Sequence, residues 1–309
     1  VTSFAKQHPG FPVPPTIAAG ALVPVRANVL VERDGDVGVV RVFRPEVEER
    51  AVGPDHRRAG RRHRRAGRRR ERQGRRAHQH DGAWPAPTST SWRRCPPSRP
   101  AARCLTTHPI FERIAGWASR WSPPSTGPVL GGGAELSMAC HARVVGKHLT
   151  LGQPEVNLGI IPGYGGTQRL PRLIGVERAA RLIRTGASIG AAEACAWGWA
   201  HGTPVDDPLA AAKALIAAHV AGTIKLAPVN PEPIPVPAKL PAVDLGHRSL
   251  AIDAIVCDVM RRGLALPLAE GLALEADGFG RCKATVDMDI GMKNFTQNGP
   301  RVPAAFLHE

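Results

Sequence analysis

Apolar and polar positions alternate over residues 28–32 and 37–43, as they do in half-buried strands. Asp34-Gly35 between them is the turn pair of a tight hairpin, and Arg44-Pro45-Glu46 ends the second strand. No period survives for a useful length over residues 51–126. From Gly127 the texture changes. A short apolar strand, Val129-Leu130, runs through three glycines into a helical pattern over 134–140. Residues 142–146 read as a strand, and Thr150-Leu151 opens another extended piece. Helical spacing returns over 167–175, 176–185 and 189–198. A further helix is predicted over 206–221, where Asp206-Asp207-Pro208 supplies an N-cap and a first-turn proline. The last three helices are predicted at 247–263, 266–282 and 285–298.

These elements divide the chain. Residues 1–26, with Pro9, Pro12, Pro14, Pro15 and Pro24, predict an irregular arm, and 27–50 the hairpin of the core. Residues 127–206 hold the core that carries the chemistry. Residues 207–309 form a helical region with a Pro-rich linker over 224–246, extended and semi-rigid. With 309 residues and 43% hydrophobic content, the chain is long enough for one main domain with an appendage. It has no apolar run of membrane-spanning length and no signal-peptide pattern at its start, which predicts a cytoplasmic protein without a membrane partner. The six cysteines form no Cys-x-x-Cys pair, so neither a disulfide framework nor a metal site is expected.

The formal charge of +15 changes the picture only locally. Eighteen arginines and four carboxylates fall between residues 51 and 128, which leaves the rest of the chain at +1. A nucleic-acid partner is therefore not expected of the protein as a whole. Residues 51–126 allow three readings: a basic arm, disordered low complexity, or translation out of frame. The third is testable on the residues. Read one base earlier, with G-ending codons, Arg120 to Thr126 become Val-Val-Ala-Ala-Val-Asn, a buried-strand pattern leading into Gly127. Val1 in place of Met fits a GTG start codon translated literally.

The candidate chemistry lies between Gly127 and Gly166. Glycines where a strand enters a helix let a ligand approach the backbone. The first N–H groups of that helix lack internal partners and carry partial positive charge, which suits a developing oxyanion. Glu135 lies in the first turn beside those donors, and Glu155 follows Pro154 in an extended or turn segment. Two carboxylates at such a place can divide general base from general acid. Blander readings stand beside this one. A first-turn Glu complements the helix dipole, three glycines can make a phosphate loop or a plain turn, and His141 reads as a surface or capping residue. Tyr164 reads as a pocket wall or a loop residue. The Walker pattern and the dinucleotide fingerprint are absent.

Several segments together resemble the crotonase superfamily, the enoyl-CoA hydratases and isomerases. They are Gly-Pro-Val-Leu-Gly-Gly-Gly-Ala-Glu-Leu from Gly127, Leu-Gly-Gln-Pro-Glu-Val-Asn-Leu-Gly-Ile-Ile-Pro-Gly from Leu151, Gly-Gly-Thr-Gln-Arg-Leu-Pro-Arg-Leu-Ile-Gly from Gly165, and Thr-Gly-Ala-Ser-Ile from Thr185. The resemblance implies an α/β fold, a spiral of ββα units with a C-terminal helical region, usually assembled as trimers or dimers of trimers. It implies an acyl-CoA thioester substrate, with coenzyme A as part of the substrate and no separate cofactor. It makes Glu135 and Glu155 the catalytic pair and puts one oxyanion donor on the Gly132 N–H. Substrate contacts are expected at Leu130, Gly131, Pro154, Leu158 and Gly163. The expected reaction is addition of water across a trans-2-enoyl-CoA; isomerisation and thioester hydrolysis are the alternatives within the family. Outside it, an inactive product or a basic nucleic-acid-binding protein remains an alternative. The family's other oxyanion donor comes from an upstream Ala-Gly-Ala-Asp-like loop. Nothing in 51–126 matches that loop, so an incomplete core and an impaired site are expected, at a cost of about a hundredfold in rate for one lost donor.

Overall fold

The computed structural model describes residues 22–26, 29–34, 37–42, 100–116, 122, 124–125 and 127–309. The chain divides into two compact units, residues 1–80 and 81–309. The first contains a three-stranded antiparallel sheet, β1 (Leu22–Arg26), β2 (Val29–Asp34) and β3 (Val37–Val42), in that order. Asp34 pairs with Val37, one position later than the Arg33–Asp36 pairing that an Asp34-Gly35 turn would set. The expected irregular arm ends earlier than read, because Leu22–Arg26 pairs with β2 as a strand. Its Pro24 sits on an edge strand, where a missing N–H is tolerated.

In the second unit the elements run α1 (Pro100–Ala115), β4 (Pro124–Ser125), β5 (Pro128–Leu130), α2 (Gly132–Ala139), β6 (Val144–Val145), β7 (Thr150–Gly152), a 3₁₀ turn (Pro154–Leu158), α3 (Gly166–Ile174), α4 (Val176–Thr185), β8 (Ser188–Gly190), α5 (Ala191–Ala196), α6 (Pro208–Val220), α7 (Leu250–Leu264), α8 (Leu268–Cys282) and α9 (Val286–Asn298). Strands β5 and β7 are parallel, β8 joins β7 antiparallel, and β4 pairs with β6 in parallel.

Three differences from the sequence reading stand out. Residues 51–126 were expected to lack regular structure, yet α1 and β4 lie inside that span. Cys104, His108 and Phe111 form the buried face of α1. Residues 51–99 lie outside the described set, and with them most of the arginine-rich stretch. The helix expected over 189–198 begins as strand β8 and turns helical only at Ala191. Three residues are too few for strand alternation to show. His141, read as a surface or capping residue, is buried at 1% exposure.

The C-terminal helices start where their caps dictate. Asp207 accepts from Leu209 N and Ala210 N, Ser249 from Ile252 N, and Thr285 from Met288 N. The linker over 224–246 has no helix or strand, as expected, but it is clasped to the core. Leu226 and Val229 are buried, Ile234 N donates to Leu264 O at 2.9 Å, and Leu268 N donates to Pro231 O at 2.7 Å. Arg184 grips Asp253 through two bonds of 2.7 and 2.8 Å and donates to Pro241 O. One apolar core, including Val129, Met138, Leu151, Ile161, Leu182, Trp199 and Phe279, joins α1 through α5 and α7 through α9. No described helix is long and apolar enough to cross a membrane.

Candidate active site

The register of β5 against β7 places the two sequence-predicted carboxylates side by side. Leu130 pairs with Gly152 at the carboxyl ends of the two parallel strands, the edge where open α/β sheets bind ligands. Past that edge each chain turns into a helix. Gly131, bonded to Gly152 O through its N–H at 3.0 Å, caps α2, and Gln153 caps the 3₁₀ turn. Glu135 lies in the first turn of α2 and Glu155 in the first turn of the 3₁₀ helix.

Both carboxylates converge on the Gly131-Gly132 turn. A Cβ at Gly131 would lie 2.7 Å from Glu155 Oε1, and one at Gly132 would lie 3.9 Å from Glu135 Oε2 and 3.4 Å from the Tyr164 ring. Gly131 has φ +53° and ψ −126°, a backbone that other residues adopt only under strain. We expect Gly131→Ala to lower activity on the order of tenfold to a hundredfold, since displacing a reacting group by about 1 Å has that effect. The moving group is the flexible end of Glu155, so thermal stability should fall only modestly. Paired rate and melting measurements check this; equal fractional losses of folded protein and rate would refute it.

Glu135 is 1% exposed. Its Oε1 accepts from Tyr164 N at 2.7 Å and Gly166 N at 2.9 Å, so the loop entering α3 fixes the carboxylate. With its amide turned to donate, Gln153 reaches Glu155 at 3.0 and 3.2 Å. Burial raises the pKa of Glu135 well above the usual carboxylate range, and the neighbouring Glu155 and Glu275 charges add to it. The two backbone N–H bonds oppose that rise. Burial pushes Glu155 up to about 8, again with Glu275 contributing. The neighbouring charges therefore disfavour having both carboxylates ionised at once.

Over residues 125–227 the chain matches the sequence profile of the family described as Enoyl-CoA hydratase/isomerase. That segment belongs to the enoyl-CoA hydratase/isomerase family. It is 48% identical over 85 residues to a probable enoyl-CoA hydratase of Bacillus subtilis, which is 28% of this chain and 33% of that protein. The chain is 34% identical over 189 residues to the crotonyl-CoA hydratase of Syntrophomonas wolfei, covering 61% of this chain and 63% of the relative. The chain thus spans from a third to under two thirds of the length of these relatives. A carnitinyl-CoA dehydratase from Mycobacterium thermoresistibile has the same fold, with a TM-score of 0.63 at 18% identity over 88% of this chain and 91% of that one. The mixed α/β core with its C-terminal helices is therefore a crotonase-type fold.

The other residues expected to meet an enoyl-CoA substrate are placed unevenly. Leu130, Pro154 and Leu158 are half-buried around the carboxyl ends of β5 and β7. Gly163 is enclosed: a Cβ there would lie 2.7 Å from the Phe279 ring and 2.9 Å from Cys104 Sγ. Its carbonyl accepts from His108 Nε2 at 3.0 Å. Tyr164 meets the Phe111 ring edge-on, with centroids 6.2 Å apart.

Sequence reasoning missed a third carboxylate. Glu275 of α8 is fully buried, and its Oε1 accepts from Gly165 N at 2.6 Å. A signal was present. Glu275 falls on the apolar stripe of Leu268, Leu272, Ala276 and Phe279, where helical spacing calls for another apolar residue.

Proposed function

We propose that this protein is an acyl-CoA lyase that adds water across the double bond of a trans-2-enoyl-CoA thioester. The observation that carries the reading is the convergence of Glu135 and Glu155 on the Gly131-Gly132 turn at the start of α2. Hydration requires a proton taken from water as its oxygen bonds the β-carbon, and a proton delivered to the α-carbon. In a pair of carboxyls, one can take the first proton while the other delivers the second. The electrons pushed onto the thioester oxygen in between need donors fixed in advance. The N–H of Gly132, in the first turn of α2, would supply one of them. Leu130, Pro154 and Leu158 would contact the acyl chain, and the curated relatives' own activities support the acyl-CoA substrate.

Purified protein mixed with crotonyl-CoA should consume the enoyl thioester absorbance and yield the 3-hydroxyacyl product. No loss of absorbance by folded protein would overturn the proposal. The pH profile gives a second readout. The pair's raised pKa keeps a proton available below about 8. Hydration should therefore decline as pH rises through that value, because the proton donor is then lost. At low pH both carboxyls are protonated and the base is lost instead.

A further inference from the structure

We infer that Glu275 is a positioning residue of this site: it and Glu135 grip the Tyr164–Thr167 backbone alternately, and Glu275 thereby aims the N–H groups that hold Glu135.

Four successive N–H groups go to two carboxylates in strict alternation. Tyr164 N and Gly166 N donate to Glu135, at 2.7 and 2.9 Å. Gly165 N and Thr167 N donate to Glu275, at 2.6 and 2.8 Å. A helix start normally finds its acceptors in a local N-cap side chain. The cap of α3 is Gly165, which has none, so two carboxylates remote in sequence take its place. Glu275 is itself held from two further directions. Thr167 Oγ1 donates to its Oε2 at 2.6 Å. His108 Nε2 lies 3.3 Å from its Oε1 and 3.0 Å from Gly163 O, between two acceptors.

A carboxylate with no exposed surface is costly to bury, and a residue there for packing alone would be apolar, like its stripe neighbours. The arrangement explains its presence. Glu135 Oε1 is committed to the loop, and Oε2 is left toward Gly132. If the loop rotated, the N–H pair would turn away from Glu135 and its Oε2 would lose its aim. Glu275 also acts through charge, because it contributes to the raised pKa of both Glu135 and Glu155. The groups facing this cluster are Cys104 and His108 of α1, Glu135 of α2, Glu155 of the 3₁₀ turn and Arg169 of α3. The Arg169 guanidinium donates to Tyr164 O at 2.9 Å.

This inference rests on the hydratase reading, and Glu275→Gln tests the two separately. With crotonyl-CoA, we expect kcat to fall about tenfold with KM held within about twofold, since the group that moves reacts but does not bind. The alkaline limb should move below about 8, because a neighbouring negative charge is gone. An unchanged kcat, or a loss that tracks thermal stability with the limb unmoved, overturns the inference. If the unaltered protein does not hydrate crotonyl-CoA, the hydratase reading fails by itself. The inference is then read by titrating ¹³C-carboxyl glutamate signals in both proteins. Glu135 and Glu155 titrating lower in the variant supports it, and unchanged titration refutes it. Should Glu275→Gln not fold, Thr167→Val removes one bond to Glu275 without altering charge. It should lower kcat about threefold with KM held, and an unchanged kcat again overturns the inference.

Discussion

Glu135→Gln and Glu155→Gln should each lower kcat for crotonyl-CoA hydration by about 10²–10⁴-fold, the usual contribution of a positioned acid or base. The prediction is sharp for Glu135 because its two roles separate. The amide oxygen of a glutamine can still accept from Tyr164 N and Gly166 N, so the loop stays anchored. What the amide cannot do is take up or release a proton at the other position, beside Gly132. KM should therefore change little while kcat collapses. At Glu155 the amide nitrogen would face the Gln153 amide, so a small local shift accompanies the chemical loss. The double variant should be only slightly slower than either single one, since each half of the pair is useless without the other. Rates of the three variants, with melting curves to establish folding, decide the matter. Retention of more than about half the activity in either single variant would remove that carboxylate from the chemistry.

The site was legible where local pattern and chemistry coincide. The strand-glycine-helix junction at Gly131 and the two glutamates in apolar surroundings could be read directly, as could the cap at Asp207. Their placement depends on neighbours within a few residues. Helix α1 was not legible, and the reason is physical. Its buried face is Cys104, His108 and Phe111, while Leu105 and Ile110 point outward at 53% and 55% exposure. A hydrophobic period cannot reveal a face built on a histidine bonded to Gly163 O and Glu275. Pro109 inside the helix masks it further. Glu275 escaped for the complementary reason. Its partners, at Gly165 and Thr167, lie more than a hundred residues away, and no local rule links them. The pairing of Arg169 with Glu112, stacked over Phe111, is equally long-range. Short strand β8 was invisible because its only evidence is its partner β7.

Gly159→Ala should be among the most destabilising single substitutions in the second unit, by about 2–4 kcal/mol, a large part of a typical domain's net stability. Two costs add. Gly159 has φ +69°, where a side chain costs about 1 kcal/mol or more. Its Cβ would also lie 2.3 Å from Asp287 O, 2.7 Å from Asp287 C and 2.9 Å from Met288 Cα. These are backbone atoms at the start of α9, and they cannot swing aside as a side-chain end can. The approach is closed from the other side by Gly291, whose Cβ position lies 2.4 Å from the Leu158 carbonyl. Asp287 is also the anchor of the chain's last residues, accepting from Leu307 N at 2.6 Å and His308 N at 2.9 Å and bonding Ser249. Pushing it outward thus loosens α9, the start of α7 and the tail together. The effect reaches the site as well, because Gly159 closes the 3₁₀ turn whose first turn holds Glu155. Gly175 supplies the comparison: its φ is +87°, but nothing lies within 4 Å of a Cβ there. Gly175→Ala therefore pays the backbone strain alone, about 1–3 kcal/mol at φ +87° and ψ 152°. Urea unfolding of both variants tests the argument. If Gly159→Ala lowers the midpoint no more than Gly175→Ala does, α9 does not dock through this close approach.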